Sequence, residues 1–333
     1  MLEKKGYIIP FAKMRGPSSF SSLSVAKKLL GTKKVGHTGT LDSFADGLLV
    51  LLSGKLTRIA RFIEAQKKRY EALIVFGLHK DTLDVFGKVI MKSSLPKASQ
   101  IQKVIEGFEG YYMQEPPQFS ALHVGGRRAS DVARKGGMLL LAPRRVHIER
   151  IIIKGISFNK NLDMLEWNDY LVHKDENVSA LHIEVLCSKG TYIRALARDI
   201  AFSLGTLGYV RALRRLSIGA FNLENAFGFS SLPPFLSSEL KVVGEYKDAL
   251  KGYAQPLSKK ICATLGLLIL EIKEDFVQYF LQGKEIKRKW FYNNIEDEKN
   301  DLLGVIVAFV FFLDEALGVI EFNDKVFRYK FVL

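Results

Sequence analysis

At 333 residues with 48% hydrophobic content, the chain is long enough for two packed domains and reads as globular. Its 49 Lys and Arg against 35 Asp and Glu give a net charge of +14, which favours a polyanionic partner such as nucleic acid or an anionic membrane surface. Two cysteines, Cys187 and Cys262, exclude a disulfide scaffold, and the six scattered histidines form no metal-binding array, so no metal cofactor is expected.

The N-terminal run from Tyr7 to Ala12 is cut short by Lys13 and Arg15, too soon for a signal-peptide core, so the protein is expected to stay in the cytoplasm. Residues 18–30 place serines ahead of Leu23, Ala26, Leu29 and Leu30, a spacing that predicts a short amphipathic helix ended by Gly31. Next comes VGHTGTLDSFADGLLVLLSG (35–54), a Gly-rich, His-containing loop that presents Asp42 just before an apolar strand or helix. Gly36 and Gly39 let a ligand approach the main chain closely. On spacing alone, Asp42 reads as a turn-capping residue before it reads as a catalyst. The GKLT at 54–57 lacks the upstream glycine of a phosphate-binding GxxxxGK[ST] loop.

YEALIVFGL (70–78) predicts a strand, and Gly77 and Gly87 bracket a turn carrying Asp81 and Asp84. Residues 98–107 read as a helix, and Glu115-Pro116-Pro117 forces an extended path into a strand at FSALHV. Arg127, Arg128, Arg134, Lys135, Arg144, Arg145 and Arg150 then cluster with Asp131 and Glu149 as the accompanying acids, a pattern suited to phosphate contacts. The polar stretch 157–179 reads as a loop and hairpin. A strand at 181–186, a CSKG turn and a helix over 191–205 follow, with Arg194 early in that helix and Gly205 as its stop. SSLPPFLSSELK (230–241) predicts a connector, dividing the chain near 250 into domains 1–250 and 251–333. The second holds short β-rich pieces, among them Val305 to Leu313, a buried strand well below the roughly 18 residues of a membrane span.

The motif GHTGTLDxxAxGxLxxxxGxxTR at 36–58 resembles the signature of the bacterial tRNA pseudouridine-55 synthases, the TruB type. Four further blocks, at 67–87, 116–136, 187–200 and 209–221, follow in that family's order. The resemblance implies an α+β pseudouridine synthase fold: a mixed, largely antiparallel central sheet with a basic cleft, then a small PUA-like RNA-binding β domain. The C-terminal strands suit a dimerisation module equally well.

The same resemblance assigns roles. Asp42 becomes the catalytic carboxylate, Tyr70 the tyrosine that stacks on the target base, and Arg194 the arginine that pairs with Asp42. Leu213 packs against the site's floor, His37 fills space left by a flipped-out nucleotide, and Lys13 supports the loops. Arg127, Arg128 and Arg134 contact phosphates. Without the resemblance, Tyr70 reads as a core tyrosine, Arg194 as an exposed helical arginine and His37 as a satisfied loop residue. The implied activity is isomerisation of uridine 55 in the tRNA T-arm by a monomer without a cofactor. Two rivals share the scaffold: a non-catalytic tRNA-binding or folding protein, and a guide-RNA-dependent pseudouridine synthase. Departures from the family pattern are Met14 after Lys13, Ser43 and Asp46 after the catalytic aspartate, and Ser130 at a tyrosine position. Asp46 is expected to set a second negative charge beside Asp42 and favour its protonated form.

Overall fold

The computed structural model describes residues 6–159, 161, 165–169, 174–236, 249–292, 306–323 and 326–333. Its first elements are β1 (Ile8–Lys13), α1 (Ser19–Leu30), β2 (Val35–His37), β3 (Asp46–Ser53), α2 (Ala60–Glu64) and β4 (Lys68–Phe76). A hairpin of β5 (Leu78–Lys80) and β6 (Val89–Lys92) follows, then α3 (Ala98–Glu106) and β7 (Gly110–Gln114). Next are a tight hairpin of β8 (His123–Val124) and β9 (Arg127–Arg128), α4 (Ala129–Arg134) and the long β10 (Arg144–Ser157). They lead to β11 (Ala180–Cys187), α5 (Ile193–Ser203), β12 (Gly208–Ile218) and β13 (Phe221–Asn222). The last part holds α6 (Ala249–Tyr253), α7 (Lys259–Thr264), β14 (Leu268–Glu271), α8 (Glu274–Leu281), β15 (Ile306–Phe312), β16 (Glu315–Phe322) and β17 (Phe327–Val332).

The large sheet runs β1-β3-β12-β4-β11-β10-β7, with β2 added to β3 and β13 to β12. All its pairings are antiparallel except β12 with β3, which run parallel over Arg214↔Asp46 and Arg215↔Gly47. This is the mixed, largely antiparallel α+β sheet that the resemblance implies. The apolar run of β3 has a simple cause. Successive side chains on a strand point to opposite faces, and both faces of β3 are covered. Leu48, Val50 and Leu52 enter one core, and Leu49 and Leu51 enter another with Leu23, Ala26 and Leu30 of α1. In β4, Tyr70, Ala72, Ile74 and Phe76 face one core while Leu73 and Val75 face the other side.

Helix α1 forms where its spacing predicts. The Ser18 hydroxyl accepts from the Ser21 amide, and Gly31 closes the helix in the left-handed region at φ 67°. FSALHV departs from expectation. Its strand is confined to His123–Val124: Gly125 and Gly126, both at positive φ, turn the chain back onto Arg127–Arg128, and α4 begins at Ala129, so the partner strand is only two residues long. The described part of 158–179 is loop, as expected, tied to β10 by paired backbone hydrogen bonds between Ile156 and Asn168. The expected connector at 230–241 falls in part outside the described residues, and so does Val305 at the start of the apolar run that forms β15.

A second sheet, β14-β15-β16-β17, occupies the C-terminal part. Its Phe309, Phe311 and Val319 enter the same cluster as Leu48, Val50 and Leu52, so one apolar core joins the two sheets. The Phe62 and Phe309 rings meet edge to face at 5.1 Å, and the Gln66 side-chain amide donates to the Leu265 carbonyl at 3.0 Å. No helix among the described residues is long and apolar enough to cross a membrane.

The parallel junction of β3 and β12 has a strict steric condition. Gly47 sits at φ 114°, and a Cβ there would lie 2.5 Å from the Arg215 carbonyl oxygen and 2.6 Å from its nitrogen. These are backbone atoms within the sheet and cannot step aside. Gly47→Ala is expected to lower stability by at least about 2 kcal/mol, read from the midpoint of chemical denaturation. An unchanged midpoint would refute the steric account.

Candidate active site

Asp42 lies in the loop between β2 and β3, where Thr38 and Leu41 anchor the chain. The Thr38 amide donates to the Val50 carbonyl at 3.0 Å, and the Leu41 amide donates to the Ser19 hydroxyl at 2.8 Å. Opposite stands Arg194, in the first turn of α5. Its Nε donates to Asp42 Oδ2 at 2.8 Å and its Nη2 to Asp42 Oδ1 at 3.1 Å, the paired geometry in which a guanidinium fork fits a carboxylate. The same guanidinium donates to the carbonyls of Thr82 at 2.8 Å and Phe119 at 2.9 Å, and lies 3.5 Å from the Asp84 carboxylate. The Arg194 side chain is 4% exposed and that of Asp42 36%. The cation is thus sealed in while its carboxylate partner opens to solvent.

That opening is a cleft of about 670 Å³, within the ~300–1,000 Å³ typical of small-molecule sites. Asp42, Tyr70, Arg194 and Leu213 all line it, so four of the residues singled out in the sequence meet in one place. Seven Lys and Arg side chains line it against the carboxylates of Asp42 and Glu64, which makes the cleft strongly basic. Burial pushes the Tyr70 phenol up from its ordinary range, while the Arg215 guanidinium, its cross-strand neighbour, acts the other way.

The other sequence candidates sit around the cleft. Lys13 is fully buried beneath it, its ammonium donating to the carbonyls of Ala45 at 2.7 Å and Met14 at 3.0 Å. His37, half-buried on β2, is not among the lining residues, and its Nδ1 has no hydrogen-bond partner among the described residues. Its pKa is lowered by burial first and by Arg215 second. Arg127, Arg128 and Arg134 are exposed on β9 and α4, and Arg134 pairs with Asp131 at 3.0 Å. They flank the cleft, since the Ala129 and Ser130 amides bind the Leu122 and Ser120 carbonyls of its wall. Arg144 and Arg145 of the same basic cluster line the cleft itself.

Asp46, expected to add a negative charge beside Asp42, carries that charge in a pair. It is fully buried and held by Arg214 at 2.6 and 3.1 Å, with Arg15 a further 3.6 Å away. Its negative charge is committed to these cations, so it does not act as an unpaired neighbour of Asp42. Arg215 was not singled out in the sequence, yet it is 1% exposed and donates to the carbonyls of Leu48 at 2.8 Å, Gly39 at 3.2 Å and Thr40 at 3.3 Å. The signal was two adjacent arginines, 214 and 215, inside a strand whose residues are mostly buried, since charged side chains are rarely buried without partners. Among the described residues no group of His, Cys, Asp and Glu could hold a metal ion.

Comparison with known proteins identifies the family of the chain. Residues 27–193 match the model of the "TruB family pseudouridylate synthase (N terminal domain)". The chain is 41% identical to tRNA pseudouridine synthase B of Treponema denticola, covering 99% of this chain and 98% of that protein. It is 36% identical to tRNA pseudouridine synthase B of Treponema pallidum, over 85% of this chain and 87% of that one. Among solved structures it resembles a chain of a Cbf5-Nop10-Gar1 complex, with a TM-score of 0.64 and 21% identity over 98% of this chain and 84% of the other. A chain of an H/ACA RNP bound to a substrate RNA containing 2′-deoxyuridine matches with a TM-score of 0.61 and 20% identity, over 97% and 82%. At that identity the likeness is one of fold.

Buried lysines give the site a measurable pH signature. Burial lowers Lys68, which donates to the Gln66 carbonyl at 2.8 Å and to that of Glu64, to about 8, and it lowers Lys13 likewise. Between the folded value near 8 and the unfolded value near 10.5, the unfolded chain binds more protons, so each lysine's contribution to stability rises with pH across that window. Cys187 and Cys262, both pushed up to about 12 by burial, and the buried tyrosines act in the opposite direction, so the wild-type curve alone mixes the effects. The difference between Lys68→Met and wild type isolates the lysine. That difference should move in favour of wild type by about 1–2 kcal/mol from pH 7.5 to 9.5. A difference that stays flat with pH would mean Lys68 titrates normally.

Proposed function

The chain belongs to the TruB family of pseudouridylate synthases, and on that premise we propose that it isomerises uridine 55 in the T-arm of tRNA to pseudouridine. The observation that carries this reading is the forked contact of Arg194 on Asp42 at the wall of a basic cleft. The relatives' name, tRNA pseudouridine synthase B, supports the substrate class.

Pseudouridine formation breaks the N1–C1′ bond, turns the uracil, and joins C5 to C1′; the C5 proton is lost and N1 gains one, so no second substrate is consumed. The protein must supply a base or nucleophile for the ribose and a pocket in which the freed uracil can turn. Arg194 holds both oxygens of Asp42 through one fork, which keeps the carboxylate oriented toward the cleft. With 36% of its side chain exposed, Asp42 faces a nucleotide in the cleft. An ionised carboxylate there either attacks C1′ or takes a ribose proton. The Tyr70 ring takes the uracil by stacking, with Arg215 across the strand from it, and Leu213 closes the apolar side of the pocket.

A uridine inside a folded loop must leave its stack to reach this carboxylate. His37 fills the vacated space, and Lys13 braces the loop carrying Asp42 from below. Arg127, Arg128 and Arg134 grip phosphates beside the cleft. Residues 251–333 serve as the PUA-like RNA-binding domain that follows catalytic domain 1–250. The protein works in the cytoplasm as a monomer, without a cofactor or guide RNA.

The test is a pseudouridine map of a T-arm transcript incubated with the purified protein. Conversion at position 55 is expected with the chain alone. Asp42→Asn should lower kcat by more than about 1,000-fold while leaving most RNA binding in place, because catalysis and phosphate contacts use different side chains. Wild type that binds the transcript and leaves its uridine intact would replace the enzyme reading with that of a binding protein. Conversion that requires an added guide RNA would replace the stand-alone reading.

A further inference from the structure

Beside the cleft, the exposed face of the large sheet carries a group of side chains that the chemistry at Asp42 does not use. Tyr111 lies on β7, the edge strand, and is 66% exposed. It pairs directly across the ladder with His147 of β10, and the two rings lie 4.4 Å apart. On the diagonal, the Arg145 guanidinium sits over the Tyr111 ring at 4.1 Å from its centre. Arg145 is exposed, and none of the described carboxylates pairs with it. Met113, 61% exposed and opposite Arg145, continues the same face.

This group is joined to the cleft twice. Arg145 is one of the cleft's lining residues. The His147 amide donates to the Ser188 hydroxyl at 3.0 Å and the Ser188 amide to the His147 carbonyl at 2.8 Å, and Ser188 begins the loop that forms the cleft wall down to Arg194. An aromatic ring, an imidazole and a guanidinium in contact, with no anion to neutralise the cation, suit a flat π-faced ligand attached to a negative backbone. Unpaired RNA bases are recognised in this way, by stacking on aromatic rings and guanidinium planes. A nucleotide flipped into the cleft also leaves neighbours whose stacks are broken, and these need a surface.

Resting on the reading of the cleft as an RNA-modifying site, we propose that Tyr111, Arg145 and His147 form a stacking platform for an unpaired nucleobase of the RNA next to the one modified. The base lies against the Tyr111–Arg145 pair, and the guanidinium also meets the adjoining phosphate. The platform binds by π faces, so it accepts either purines or pyrimidines.

The test places 2-aminopurine in turn at each unpaired loop position, other than the target uridine, of a T-arm stem-loop RNA, and follows its fluorescence on binding the full-length protein. Stacking quenches the probe. One position beside the target is expected to be quenched by wild type and by Tyr111→Phe but not by Tyr111→Ala, with affinity falling about 5- to 30-fold in the latter. Arg145→Gln should weaken the same quenching. Tyr111→Leu keeps apolar bulk on the strand and gives the readout should Tyr111→Ala unfold. Wild-type affinity in the alanine and leucine variants, or quenching indifferent to Tyr111 at every position, overturns the platform. Pseudouridine formation is scored in the same RNA. Conversion without Tyr111-dependent quenching removes the platform and keeps the enzyme, whereas quenching without conversion keeps the platform and removes the enzyme.

Discussion

The arrangement around Asp42 depends on one buried cation. Arg194 has been taken out of water at the start of α5, and its donors must be satisfied by protein groups or the burial would cost several kcal/mol. They are satisfied by three separate stretches of chain: both oxygens of Asp42, the Thr82 carbonyl beside Asp84, and the Phe119 carbonyl. The guanidinium thereby fixes the relative positions of the loop before β3, the β5–β6 turn and the segment leading to β8. A lysine would not do this, because a single ammonium lacks the planar fork that reaches carboxylate and carbonyls together. Asp84 lies 3.5 Å from the same guanidinium, but the carboxylate the fork engages at both oxygens is Asp42, the one that opens to the cleft.

A second tier of buried charge supports the first. Arg214 holds Asp46 on one side of β12, while Arg215 on the other reaches the backbone of Gly39 and Thr40, three and two residues before Asp42. Lys13 ties the end of β1 to the Ala45 carbonyl. Such groups contribute little net stability after desolvation, but each is costly to leave half-paired, which penalises alternative loop arrangements. The Gly-rich loop, conformationally free by composition, is in this way held at both ends.

Much of this was legible in the sequence because local signals and family blocks coincide with elements. The Ser18 cap, the Gly31 stop and the apolar spacing of α1 are local, and the β3 and β4 runs follow from burial on both faces. The meeting of Asp42, Tyr70, Arg194 and Leu213 came from the ordered motifs, not from spacing, since Asp42 and Arg194 are 152 positions apart. What escaped was long-range pairing. Asp46 looked like a perturbing charge because its partner, Arg214, lies 168 residues away. Arg215 escaped because its acceptors are backbone carbonyls, which leave no mark in a sequence. The strand read at FSALHV was too long because its partner, Arg127–Arg128, passes at once into α4, a limit that composition alone does not locate.

The adjacency of Leu213, Arg214 and Arg215 on one central strand has a further consequence. Neighbouring residues on a strand face opposite ways, so moving β12 by a single position against β3 and β4 would exchange the brace of Asp46 for the one that meets Tyr70. The strand already carries two irregularities in its pairing with β4, one on each side of this triplet, which together set its phase. Chemical competence is therefore coupled to correct strand alignment during folding. A chain that closes its sheet out of phase would no longer bring Arg215 against Tyr70 and the Gly39–Thr40 backbone.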